Sequence, residues 1–282
     1  LRKVYKSWFY GVCMQVKTYI ERTIGDFVGA GDDFIERYDA SLEGLSKDAR
    51  GILNVFSRAD NGTILGSNDF APIWAHTHGL LRLATPDEFS DSFNADPESW
   101  RGCYRDSGIL FNSQNTEGNP LLNASLEKAL KDARVQVGKV PLFLPFVSFD
   151  LREPKKSEKI AYSLVHVIAN PRLIIEAPML DSNVIIRKYS VLERGLPVPD
   201  KKGKYNIFIS NHKVAGLIVD RYLDFYSGDG VFADSGAGGR VVSVSDARGV
   251  ANARGNYDLQ IRRIVEAREQ ADAHNAEIAE KA

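Results

Sequence analysis

Apolar residues recur at three- and four-residue spacing through the first quarter of the chain, and past the middle they give way to short β-branched runs. Val4, Tyr5, Trp8, Phe9, Val12, Val16, Tyr19, Ile20, Ile24 and Phe27 make one helical stripe. Gly25, Gly29 and Gly31 interrupt it, so the spacing predicts a second helix from Asp32 or Asp33 that uses Phe34, Ile35, Tyr38 and Leu42. A third, short helix carries Ala49, Ile52, Leu53 and Phe56. Asp60-Asn61-Gly62 predicts a turn, because these residues tolerate left-handed backbone angles. From Thr63 to Asn123 the pattern is irregular, with short helices announced by Thr85-Pro86-Asp87-Glu88, a capping hydroxyl, a proline and an acid in series, and by Asp96-Pro97-Glu98. Asn123 is read as opening a helix with Leu126, Leu130 and Ala133 that Gly138 ends.

The character changes after Gly138. Val140 to Leu151 is apolar, but Pro141 and Pro145 cannot donate to a sheet ladder, which predicts an edge strand or extended cover rather than a central strand. Ile160 to Ala169, Leu173 to Ala177, Val184 to Val191 and the alternating Tyr205, Ile207 and Ile209 read as strands. Asn211 is read as capping a helix through Val214, Leu217, Ile218 and Tyr222, and Val241 to Val244 as a short strand after a glycine-rich loop. From Tyr257 to Ala282 a helix is expected whose apolar face fades, Leu259, Ile261, Ile264 and Val265 giving way to alanine and charge, with Ile278 alone after them.

Helices followed by strands predict an α+β protein: a mainly helical region 1–138, a mixed, mostly antiparallel sheet region 139–256, and a projecting C-terminal helix 257–282. A chain of 282 residues buries about 75% of its unfolded surface, so core size is no obstacle.

With 36 basic against 37 acidic side chains, the overall balance supplies no field for broad nucleic-acid binding. Arginines at 240, 248, 254, 262, 263 and 268 make the end of the chain locally basic, but Asp246, Asp258, Glu266 and Glu269 interleave with them, so nucleic acid is not favoured. No apolar run approaches the ~20 residues that cross a bilayer. The start at Leu1, with Arg2, Lys3 and Lys6 among aromatics, reads as a processed or truncated polypeptide with an amphipathic helix, soluble as given, with virion or cytoplasm favoured. Cys13 and Cys103 match no metal spacing, and free thiols are favoured over a disulfide.

Three patterns carry candidate chemistry. His76 and His78 form the chain's HxH pair. On a strand both rings would point to one side and hold zinc; on a helix they diverge by about 200°. Asp220, Asp224 and Asp229 would place two carboxylates one helical turn apart, able to take Mg²⁺ or work as an acid and base, or else to decorate a wet face. The glycines at 236, 238 and 239 lack the strand before and the helix after that a phosphate loop needs, and read as a hairpin connection. No cofactor is called for. The expectation is a non-enzymatic structural or assembly subunit, of a virus particle or an envelope-spanning machine, that self-associates through Leu259, Ile264, Arg268 and Ile278 and through the extended segment at Pro141 and Pro145. The alternative is a metal-dependent hydrolase built on His76 and His78.

Overall fold

The computed structural model describes residues 24–26, 33–58, 64–181, 183–228, 232–233 and 239–244. Most of the first apolar stripe, the Asp60-Asn61-Gly62 turn, Cys13, Asp229, Gly236, Gly238, and the C-terminal segment with Leu259, Ile264, Arg268 and Ile278 lie outside these residues. The described helices are α1 (Phe34–Ser41), α2 (Lys47–Leu53), α3 (Ala71–Thr77), α4 (Pro86–Ala95) and α5 (Pro120–Asp132). The strands are β1 (Ile24–Asp26), β2 (Ser57–Arg58), β3 (Ile64–Leu65), β4 (Arg82–Leu83), β5 (Tyr104–Phe111), β6 (Leu142–Pro145), β7 (Phe149–Arg152) and β8 (Val165–Ile168). They continue as β9 (Ile175–Glu176), β10 (Lys188–Glu193), β11 (Leu196–Pro199), β12 (Tyr205–Phe208), β13 (Val214–Val219), β14 (Phe225–Ser227), β15 (Gly239–Arg240) and β16 (Val242–Val244). This is a mixed α+β chain with mostly antiparallel sheets.

Local chemistry explains the helix starts. Phe34, Tyr38 and Leu42 bury one face of α1, and the Tyr38 hydroxyl donates to the Leu53 carbonyl at 2.8 Å, tying α1 to α2. At α4, Thr85 and Glu88 close the expected capping box. The Glu88 carboxylate also accepts two bonds from the Arg82 guanidinium, at 2.9 and 2.8 Å, so one side chain both caps the helix and anchors it to β4. Helix α5 starts earlier than Asn123: Asn119 is its cap, accepting from Leu121 and Leu122, and Pro120 takes the first position, where its missing N–H costs nothing.

The largest sheet runs β11-β10-β12-β14-β13-β5-β6-β9, with β15 beside β5; β12–β14 and β15–β5 are its parallel pairs. Its middle is covered on both sides. Ile109, Phe111, Leu142, Leu144 and Val214 face a core shared with α1, α2, α3 and α5, while Leu110, Phe143, Ala215 and Leu217 face a second core holding Phe89 and Phe93 of α4, with Trp100 and Tyr189.

Four expectations are corrected here. Ile24, placed in the first helical stripe, belongs to β1, which pairs with β16. The predicted helix through Val214, Leu217 and Ile218 is β13; Val-Ala-Gly-Leu-Ile-Val is apolar throughout because both strand faces are buried, and such a run satisfies helical spacing equally well. Strand β5 falls in the stretch read as irregular, and it pairs with β6 and β13, so strands from both sides of the Gly138 boundary bond directly. The segment of Pro141 and Pro145 is not an edge: β6 bonds to β5 on one side and to β9 on the other. The sheet tolerates it because Pro145 lies opposite Gly108, at the end of the ladder. A Cβ on Gly108 would lie 2.4 Å from the Leu144 carbonyl oxygen and 2.6 Å from the Phe143 ring.

Backbone sets that clearance, so it cannot be relieved by a rotamer change. Gly108→Ala is expected to lower stability by about 2 to 3 kcal/mol, read as a drop in urea midpoint; an unchanged midpoint would show that the β5–β6 contact is not the constraint described.

Candidate functional site

The sequence candidates do not converge. His76 lies on α3 and His78 caps its end, so the helix turns the rings apart. His78 donates from Nδ1 to the Trp74 carbonyl at 2.9 Å and packs its ring on Trp74, centroids 3.9 Å apart, while His76 Nδ1 lies 3.4 Å from the Leu81 carbonyl. The fold thus does not set the two rings side by side as the zinc reading of this pair required. Among the described residues, no group of three or more His, Cys, Asp or Glu is placed to hold a metal ion. Asp220 and Asp224 sit in the turn between β13 and β14 rather than on a helix. Asp220 accepts from the amides of Tyr222 and Asp224 (2.8 and 2.9 Å), and Asp224 accepts from the Asn206 amide (2.7 Å). Both carboxylates are spent on shaping the hairpin. Pro141 and Pro145 are buried in the chain's own body. Cys103 is a half-buried free thiol. Among the described residues, no helix is long and apolar enough to cross a membrane.

What the fold does bring together is a pair of carboxyls remote in sequence. Asn68 accepts from the amides of Phe70 and Ala71 (2.9 and 2.7 Å) and donates to the Ile52 carbonyl (2.8 Å), which fixes the turn before α3. That turn presses Asp69, only 7% exposed, onto β13. Gly216 makes the room: a Cβ there would lie 2.8 Å from Asp69 Oδ2. Asp106 comes from β5, the next strand, and one of its oxygens, Oδ2, is buried without a hydrogen-bond partner among the described residues.

Burial, and then the charge of Asp106, holds the Asp69 carboxyl well above the usual carboxylate range. Asp106 is pushed up to about 6 by burial, with the Ser67 hydroxyl pulling it back. The two carboxyls are coupled, so burial and their mutual charge favour retained protons on the pair.

Asp106 also ends a row across the sheet. In register, Phe208 of β12 stands beside Tyr226 of β14, Tyr226 beside Ile218 of β13, and Ile218 beside Asp106. The Phe208 and Tyr226 rings stack with centroids 4.5 Å apart. Phe208 is 43% exposed, although Ile207, Phe225 and Leu217, on the opposite face of the same strands, are fully buried. Beyond Asp106 this face is covered by the first core; on the β12–β14 side Ile218 and Tyr226 are half-buried and Phe208 is exposed.

None of Asp69, Asp106, Phe208 or Tyr226 was singled out by the sequence. Asp69 and Asp106 sit in polar stretches, Ser-Asn-Asp and Tyr-Arg-Asp-Ser, that read as loop. The one available signal was that Phe208 and Tyr226 break the polar-outward alternation expected of strands with a single buried face.

The buried pair and His166 act in opposite senses on stability. Burial between Phe70 and Phe149 lowers His166 from its ordinary 6.5 to about 4, so the unfolded chain takes up a proton first and stability falls as pH drops through that window. Asp69 and Asp106 are raised, so the folded chain keeps protons that the unfolded chain has released, and stability falls as pH rises from about 4 toward 6. His166→Phe is expected to make the protein more stable at pH 5 than at pH 7, and Asp69→Asn to steepen its loss of stability in acid, at up to about 1.4 kcal/mol per pH unit for each proton. Urea midpoints against pH measure this; parallel profiles for the two variants would contradict it.

No family model, curated protein or solved structure matches the chain, so the functional argument stands on this geometry.

Proposed function

We propose that the chain is a structural or assembly subunit of a larger particle and acts by self-association through the open face of β12, β14 and β13. The observation that carries this reading is the row Phe208–Tyr226–Ile218, in which Phe208 is exposed and Tyr226 and Ile218 are half-buried, on strands whose other face is packed core. A solvent-facing sheet surface ordinarily alternates to polar residues, and stacked aromatics at the centre of an uncovered patch are the usual anchors of a protein interface. A second copy brings the same row, and an isologous contact would stack aromatic on aromatic. The surroundings suit a rim: Asn206, Asp220 and Asp224 provide polar groups beside the row, and exposed Tyr222 carries the Arg221 guanidinium 5.2 Å from its ring centroid. The fading apolar face of the C-terminal segment, with Leu259, Ile264, Arg268 and Ile278, is a sequence feature that suits the same role.

Sedimentation velocity over a concentration series tests the proposal. The chain is expected to shift from 31.3 kDa to a dimer or larger species, and Tyr226→Glu to weaken that association by about tenfold or more. A particle that stays monomeric at every concentration, or an association indifferent to Tyr226→Glu and Phe208→Glu, would overturn it.

A further inference from the structure

A cavity of about 550 Å³ opens between α5 and the β7–β8 hairpin. Its floor on the helix is small, formed by Ser125, Ala129 and Ala133 at four-residue spacing along α5, with Ala124 beside them. Its other wall is β8 itself. Among the described residues, strand β8 bonds to β7 alone. Ala169 N–H donates to the Ser148 carbonyl, so in the antiparallel alternation Val167 and Val165 carry the bonds to β7, while the N–H and C=O groups of His166 and Ile168 turn outward. Among the described residues no backbone group answers them. His166 lines the same cavity, is 3% exposed, and its Nε2 has no hydrogen-bond partner among the described residues. A buried strand edge with open donors and acceptors is completed by another strand.

The charges choose the occupant. Lys128 is paired with Asp132, and Arg152 holds Glu158 through two bonds of 2.7 Å. Lys159 is left at the mouth as surplus positive charge, with Lys155 and Lys156 in the same loop.

We propose that the groove between α5 and the outer edge of β8 binds an extended peptide segment of a partner protein. The segment adds to β8 as a strand of about four residues, lays small apolar side chains on the alanine floor, and sets an acidic residue against Lys159. This site is separate from the open face of β12 and β14, and it goes beyond self-association.

The probe is a set of fluorescein-labelled acetylated hexapeptides that alternate Ala, Val or Leu with Asp, Glu or Ser, titrated with the full chain by fluorescence anisotropy. Acidic members are expected to saturate. Methylating alternate backbone nitrogens of the best peptide should weaken it by about tenfold or more, because the strand bonds are lost. Ala124→Trp, at an exposed position of the groove, should do the same, and Lys159→Glu should remove the preference for Asp and Glu over Ser. Tyr226→Glu should leave peptide binding intact, which separates this result from the fate of the self-association proposal. If no member of the set saturates, or if N-methylation and Ala124→Trp both leave binding unchanged, the groove is not a strand-binding site.

Discussion

A strand bonded along both edges and covered on both faces can keep a polar side chain only where some other group answers it, and β5 is such a strand. Its second half, Ile109-Leu110-Phe111, feeds the two cores alternately. Its first half is polar, and each residue there forces an arrangement elsewhere. Arg105 is buried and is answered by the Trp100 carbonyl at 2.7 Å and by the Trp100 ring, 4.4 Å away. Ser107 donates to the Leu217 carbonyl at 3.1 Å, at the point where the register with β13 slips by one residue. Gly108 leaves room for Leu144 and Pro145. Asp106 is the member of this series whose second oxygen goes unanswered among the described residues, and Asp69 is brought up beside it.

Where local chemistry decides, the sequence was readable. The Thr85–Glu88 box, the Phe34–Tyr38–Leu42 stripe and the run Val241 to Val244 all correspond to elements of the fold. Where tertiary burial decides, it was not. Val214 to Val219 reads as helix or strand with equal ease, because a strand buried on both faces loses its alternation. Strand β5 was hidden for the complementary reason: Tyr104 to Gly108 carries the polar residues of a loop, and only their partners on Trp100 and β13 make them tolerable inside. Asp220 and Asp224 looked like a helical acid pair because the segment was read as helix; in a hairpin the same residues cap the turn.

The site was legible to a lesser degree still, since it depends on register. Nothing local ties Asp69 to Asp106, or Phe208 to Tyr226 and Ile218; each pairing is set by how β5, β12, β13 and β14 align. The same alignment produces the contrast on which the functional reading rests. One face of the sheet is closed throughout, by α4 and the second core, and the other is closed only as far as Asp106. Past that point Phe208 is exposed and Tyr226 half-buried. In the proposed function, self-association would close that face in the way α4 closes the other, through apolar burial that removes the stacked rings from solvent.

Hydrogen–deuterium exchange measured across protein concentration tests this most directly. The account predicts that amides of Tyr205–Phe208 and Phe225–Ser227 become slower to exchange as concentration rises, while those of β5, already enclosed within the chain, do not change. Exchange at β12 and β14 that is independent of concentration would contradict it.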